Sequence, residues 1–214
     1  MDMSFINEFF DKVFCINLDR REDRMLLAEE EFKKFNIEFE RFSAVDGNTL
    51  VKEDYTTNPN IPGGAHGCRL SHARLVSMCK ERSYKKALVL EDDVVFSEDF
   101  EKNFTNYIKE IPENWDMFYL GGNHNFHMGQ KLQMVSEHIG KCHTTFSTHA
   151  YAINESLFDE AISVLSNGEK QVDVYYSEIQ KRRNVYALYP GVTNQRADYS
   201  DVLNENVDYS KIIK

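Results

Sequence analysis

Three consecutive carboxylates, Glu91, Asp92 and Asp93, follow the apolar run KALVL (residues 86–90) with no spacer. Hard divalent cations such as Mn²⁺ and Mg²⁺ prefer oxygen ligands and complete their shells with water and phosphate oxygens. If the run is a strand, side-chain alternation puts Glu91 and Asp93 on one side and Asp92 on the other. Two carboxylates on one side of a strand end can hold one such cation, and that cation can neutralise charge on a departing phosphate. The same triplet also reads as a solvated acidic turn that caps the following helix. Three adjacent carboxylates repel one another, which is costly unless a cation or an arginine sits beside them.

The elements that must position this cluster alternate along the chain. KVFCINL (residues 12–18) predicts a strand. Residues 21–36 carry helical spacing with Met25, Leu26, Phe32 and Phe35 on the apolar side, and residues 37–42 alternate as a half-buried strand. Residues 54–67 hold three of the ten glycines and two of the four prolines and predict a long, mobile loop. A helix over 67–82 and the strand 86–90 follow. Ser97 is the expected N-cap of a helix running to about residue 111. Strands are expected over 115–120, 145–153 and 185–189, helices over 154–165 and 172–183, and a loop excursion over 121–141. The last fifteen residues are polar and are expected to wrap the surface or stay loose. This alternation predicts an α/β sandwich with a mostly parallel sheet, whose ligands sit at the carboxyl ends of the strands.

Composition sets the outer limits. The chain has 214 residues, 42% of them apolar, including 15 Phe and 11 Tyr, enough for one domain with a sizeable core. The net charge of −10 opposes broad nucleic-acid binding. It leaves room for a phosphorylated ligand, since a metal and a few arginines can reverse the field locally. Cys15, Cys68, Cys79 and Cys142 show no CxxC spacing, and a reducing compartment is favoured. Cys68 is expected only to pack. No signal peptide or membrane span is legible, so the expected location is cytoplasmic. His124, His127, His138 and His143 have no zinc-type spacing.

Four segments together resemble glycosyltransferase family 25, the family of lipopolysaccharide and collagen galactosyltransferases. They are VFCINLDRREDR (13–24), RFSAVDG (41–47), GAHGCRLSHARL (64–75) and ALVLEDDVVF (87–96). Fainter echoes are THAYAIN (148–154), the Asp173 region and QRADYSDV (195–202). The resemblance implies a GT-A type, Rossmann-like three-layer sandwich with a mixed, mostly parallel sheet. It further implies a single domain with a nucleotide-binding half (about 1–120) and an acceptor-binding half (about 121–214). The expected reaction is inverting transfer of a hexose, galactose or glucose, from a UDP-sugar. The acceptor is a hydroxyl on a glycan, a lipopolysaccharide or a hydroxylysine-type protein. Mn²⁺ is the expected cofactor, with Mg²⁺ as the alternative.

Residue roles follow from the same resemblance. Asn17, Asp19, Arg20 and Arg24 would hold the nucleotide, and an arginine fork suits a diphosphate. The plainer reading is a charged helix start, with Arg20 and Arg24 pairing with Asp23 or glutamates at helical spacing. Ala44 and Asp46 would border the nucleoside, although Asp46-Gly47 is also a strong turn signal. Gly67, Ser71 and His72, at the expected helix start, would contact sugar or phosphate; His72 alternatively is a half-buried helix residue. Glu91 and Asp93 are the expected metal ligands, with Asp92 beside the donor. Asp173 is the candidate base that takes the acceptor hydroxyl proton, or else an ordinary helix cap. His149 is a core histidine or lines the acceptor site. Tyr119, Gly121 and Gly122 are expected to line the sugar pocket, and Asp198 or Asp201 to supply a third metal ligand.

Two other classes compete. A haloacid-dehalogenase-type phosphotransferase needs an aspartate nucleophile where Glu91 stands, and this sequence has no matching downstream lysine or aspartate pair after residue 150. A transferase-like domain that binds a nucleotide-sugar or glycan without turnover keeps the same motifs and is separated by a donor hydrolysis assay.

Overall fold

The computed structural model describes residues 4–51, 61–124, 132–166, 169–203 and 205–208. The chain opens with a short helix α1 (Phe5–Phe9), then β1 (Lys12–Asn17), α2 (Glu22–Lys33) and β2 (Glu40–Ser43). The long helix α3 (Gly63–Glu81) leads to β3 (Lys86–Glu91), a short β4 (Val94–Phe96) and α4 (Phe100–Tyr107). β5 (Met117–Tyr119), β6 (Gln133–Met134), β7 (Ile139–Lys141) and β8 (Ala150–Asn154) follow. The chain continues through α5 (Glu155–Ser166), α6 (Val172–Ile179), β9 (Val185–Leu188), β10 (Thr193–Gln195), β11 (Asp198–Ser200) and β12 (Glu205–Val207).

Eight strands form one sheet in the order β2-β1-β3-β8-β5-β9-β7-β6. β1 pairs parallel with β2 and β3, and β5 parallel with β9. β8 runs antiparallel between β3 and β5, and β7 antiparallel between β9 and β6. All strands of the sheet except β8 and β7 therefore share one direction, and the sheet is mixed but mainly parallel. Strand alternation splits the core. Val13, Cys15, Leu88 and Leu90 face α1, α2 and α4 through Phe10, Phe32, Phe100 and Phe104. Phe14, Ile16, Ala87 and Val89 face α3, α5 and α6 through Leu75, Leu157 and Tyr176. Each buried Leu or Phe of this kind is worth about 1.5–3 kcal/mol. Helices thus cover both faces, as three-layer α/β packing requires.

Chain order reverses between β1 and β3: from β1 the chain crosses outward to β2 and then returns to the far side of β1. This switch opens a crevice at the carboxyl ends of β1 and β3, the place where such sheets bind ligands.

Several boundaries differ from the expected ones. α3 begins at Gly63 after Pro62, four residues before the expected start. The N-cap of α4 is Asp99 rather than Ser97, and a 3-10 turn at Ile108–Glu110 ends it. β8 starts at Ala150, because the preceding segment carries Ser147 at φ 77 and cannot continue a strand. α6 stops at Ile179. The expected loop over 121–141 contains the hairpin β6–β7, while His127 lies outside the described residues. Part of the expected tail is also ordered, since β11 and β12 pair antiparallel. Residues 54–60 of the expected mobile loop lie outside the described residues, and 63–67 are helical. No helix among the described residues is long and apolar enough to cross a membrane.

Candidate active site

Parallel register delivers the first set of polar side chains. Ile16 stands opposite Glu91 and Asn17 opposite Ser43. β1, β2 and β3 therefore end level, releasing Asn17, the Ala44–Val45–Asp46 segment and the acidic cluster at one rim. A cleft of about 300 Å³ opens there. Asn17, Arg20, Arg24, Ala44, Asp46, Ser71, His72, Glu91, Asp92, Asp93 and Asp173 all line it. Asp19, Gly67, Tyr119, Gly121, Gly122 and His149 do not.

The acidic cluster does not divide as simple alternation predicts. The chain turns immediately after Glu91, so Asp92 and Asp93 group together and Glu91 stands apart. Arg24 bridges the aspartates, with Nη2 at 2.5 Å from Asp92 Oδ1 and 2.8 Å from Asp93 Oδ2. Asn17 Nδ2 donates to Asp92 Oδ2 at 2.7 Å, and Gln195 Nε2 donates to Asp93 Oδ2 at 3.3 Å. The other oxygen, Asp93 Oδ1, is buried and accepts no hydrogen bond. Burial, opposed by Arg24 and reinforced by Glu91 and Asp92, pushes the Asp93 carboxyl up to about 7. Burial also raises Asp92, again against the pull of Arg24. Glu91 accepts from Thr148 Oγ1 at 2.7 Å and lies 3.3 Å from His72 Nε2, at ion-pair range. Burial acts to raise the Glu91 carboxyl, but the His72 imidazole and the Thr148 hydroxyl bring it below its ordinary value.

Arg20 and Arg21, after β1, are engaged by aspartates. Arg20 Nε donates to Asp46 Oδ2 at 2.8 Å, and its Nη1 lies 2.8 Å from Asp201 Oδ1. Arg21 Nη1 donates to Asp201 Oδ2 at 2.5 Å, and Arg21 also takes Asp23. Asp23 thus pairs with Arg21 and not with Arg20 or Arg24. Asp198 and Asp201, expected as metal ligands, face arginines instead, with Asp198 at 3.5 Å from Arg21. Asp46 serves both of its expected readings: it lines the cleft, and its Oδ1 accepts from Asn48 N to form the turn. Asp19 lies outside the cleft and accepts from Arg41 and Ser43. Arg41 in turn donates to Asn17 Oδ1 at 2.9 Å, so Asp19 reaches the site only through the side chain that orients Asn17.

α3 lines the cleft as well, through Cys68, Ser71 and His72. Because it starts at Gly63, Gly67, Ser71 and His72 lie beyond its first turn and do not offer free N-terminal N–H groups. A Cβ on Gly67 would stand 2.5 Å from the Val45 carbonyl oxygen, so this glycine lets the helix pack on the 45–47 segment. Ser71 spans the same junction, donating to Gly67 O at 2.7 Å and accepting from Val45 N at 2.8 Å. His72 is fully buried, with Nδ1 2.9 Å from the Tyr151 hydroxyl.

Asp173 sits in the first turn of α6, whose N-cap position is Gln171, so it is not the helix cap. Burial raises its carboxyl, backbone N–H groups of Val174 and Ser147 oppose that, and Oδ1 accepts no hydrogen bond. His149 is a core residue. It is fully buried, its Nε2 lies 3.2 Å from Thr193 Oγ1, and burial pushes it down to about 4. Tyr119 is buried with its hydroxyl accepting from Gln180 Nε2 at 3.1 Å. The sequence assigns no role to Arg21, Arg41, Thr148 or Gln195, although each lies in a segment that carries the family resemblance. Each meets its site partner through tertiary pairing, which sequence spacing does not encode.

A model of glycosyltransferase family 25 (LPS biosynthesis protein) matches residues 10–175, most of the chain. An Acanthamoeba polyphaga mimivirus protein named as a glycosyltransferase is 36% identical over 119 residues, 51% of this chain and 37% of that protein. Human procollagen galactosyltransferase 2 is 31% identical over 130 residues, 52% of this chain and 21% of that protein. The matched segment therefore spans well under half the length of these relatives. Among solved structures, a glycosyltransferase involved in glycosylating the major capsid of PBCV-1 superposes with a TM-score of 0.52 at 11% identity. That match covers 90% of this chain and 95% of the other, a likeness of fold. With the family model spanning both the acidic strand end and Asp173, the chain belongs to glycosyltransferase family 25.

Proposed function

We propose that the chain is an inverting, metal-dependent hexosyltransferase that moves galactose, or alternatively glucose, from a UDP-sugar to an acceptor hydroxyl. The acceptor class is a glycan, a lipopolysaccharide or a hydroxylysine-type protein. The observation that carries this reading is one cleft lined by an aspartate pair bridged by Arg24 and, apart from that pair, by the carboxylate Asp173. The donor set fits a hard cation. Asp93 Oδ1 is a buried oxygen with no hydrogen bond, an unfavourable state that a cation would relieve. Asp93, with Asp92 or Glu91, would hold Mn²⁺, which would stabilise the negative charge of the departing diphosphate.

The chain's own residues divide the remaining work. Arg20 and Arg24 present guanidinium groups to the cleft for the diphosphate. Asn17, fixed by Arg41 and Asp92, and the Ala44–Asp46 segment border the nucleoside. Asp173 takes the proton from the acceptor hydroxyl as its oxygen attacks the anomeric carbon opposite the leaving diphosphate. Its raised affinity for protons, caused by burial, suits it to that step.

A panel of UDP-sugars incubated with Mn²⁺ and without it tests the reading. Mn²⁺-dependent release of UDP with at least one sugar is expected. UDP binding without release from any donor would instead identify a binding module.

A further inference from the structure

A second set of donor atoms lies where α3 crosses the end of β3. Cys68 and His72 stand four residues apart on α3, hence on one face of the helix. Glu91 ends β3 opposite them. A sulfur of Cys68, a nitrogen of His72 and an oxygen of Glu91 all lie within 4.8 Å of one another. This is a mixed S, N, O set, chemically unlike the aspartate pair on Arg24.

The imidazole is held as a ligand rather than as a core filler. His72 is fully buried and its Nδ1 is fixed by the Tyr151 hydroxyl, which in turn lies 3.2 Å from the Tyr176 hydroxyl. Nε2 faces Glu91 Oε1 at 3.3 Å and has no other partner among the described residues. Glu91 is itself fixed by Thr148. Metal-binding histidines and carboxylates characteristically have such outer partners. All three residues also line the cleft, so a cation here keeps a face open to solvent or ligand.

We propose that Cys68, His72 and Glu91 form a second cation site, for a thiophilic divalent ion such as Zn²⁺, distinct from the aspartate pair. Three protein ligands plus one open position is the arrangement of an accessible zinc centre. Tetrahedral zinc with bonds of about 2.3 Å to sulfur and about 2.0–2.1 Å to nitrogen places ligand atoms roughly 3.5 Å apart, and His72 Nε2 and Glu91 Oε1 already stand at 3.3 Å. Thiolate and imidazole select Zn²⁺ over Mn²⁺ and Mg²⁺, which favour carboxylate and water. Binding releases the Cys68 thiol proton. Glu91 belongs to both neighbourhoods, so zinc draws it away from the oxygen-only set.

The proposal stands whether or not the chain transfers sugar, and its test reads the metal directly. The full chain, in reducing agent that does not bind metals, is titrated with Co²⁺ and then with Zn²⁺. A thiolate-to-cobalt charge-transfer band is expected, bleached by one equivalent of Zn²⁺. Cys68→Ser should abolish the band, and His72→Gln should weaken Zn²⁺ binding ~10–100-fold. Circular dichroism checks that both variants fold. No band in the wild-type chain, or a band of unchanged intensity in folded Cys68→Ser, overturns the proposal.

Discussion

The two walls of the cleft follow opposite electrostatic plans. On the wall formed by the β1 and β3 ends and β11, Arg20, Arg21 and Arg24 are matched by Asp46, Asp92, Asp93, Asp198 and Asp201. On the α6 wall, Asp173 leans on backbone N–H groups, and among the described residues one of its oxygens has no partner. A wall of paired charges can receive an anion and a cation together by exchanging partners, with little net change in buried charge. A buried carboxylate with no cation beside it holds protons more readily and suits proton transfer. The contrast is what the proposed division rests on, with charge handling on one wall and proton handling on the other.

Asp93→Asn attacks the paired wall where the proposed cation is held. Transfer should fall ~10³-fold, comparable to loss of a principal electrostatic contact to a developing charge, while the fold survives. Turnover with saturating Mn²⁺ and donor measures it, and a fully active variant would falsify the assignment of that wall. Asp173→Asn attacks the other wall. Here kcat should drop at least ~10²-fold with KM for the donor nearly unchanged, since the base acts only in the reaction step. A rise in donor KM with kcat intact would move Asp173 to the donor side and erase the contrast.

Arg24→Met tests whether the pairing itself is structural. The guanidinium is buried between Asp92, which is buried, and Asp93, which is half-buried, and removing it leaves both without their arginine. Loss of one member of a buried ion pair costs about 3–5 kcal/mol. Urea unfolding should show that loss in cation-free buffer. Adding Asp93→Asn to Arg24→Met should recover part of it, because one stranded charge is then gone.

Much of the paired wall's framework was legible in the sequence, but its pairing was not. β1 and β3 are buried along nearly their whole length, so KVFCINL and KALVL carry an unbroken apolar signal. The acidic residues after β3 are contiguous and therefore visible. Their grouping was misread because alternation assumes an extended chain, and the chain turns at Asp92. Arg21 and Asp201 are 180 positions apart, beyond anything spacing can link. The start of α3 was hidden by glycines that resemble a loop. They are required by contact instead: a Cβ on Gly64 would stand 2.5 Å from the Asp201 carbonyl oxygen. On the α6 wall Asp173 was visible as a family position, yet its missing cation is a property of the packed structure.

The smallest expected effect concerns protons on the paired wall. The folded chain holds the Asp93 carboxyl at about 7, against an ordinary value of 3.8, chiefly through burial. A carboxyl raised on folding binds more protons in the native state than in the unfolded one. Its contribution to stability is complete below 3.8 and is lost as pH rises through about 7. Asparagine does not titrate, so the cation-free wild type should lose melting temperature relative to Asp93→Asn across that window. His149, held down to about 4 by burial, has the opposite sign, but it is common to both proteins and cancels in the difference. Mn²⁺ should flatten the wild-type decline, since a bound cation favours the ionised carboxylate, and should leave the asparagine variant unmoved. A wild-type profile parallel to that of the variant would place the extra proton elsewhere, and the paired wall would then be ionised throughout.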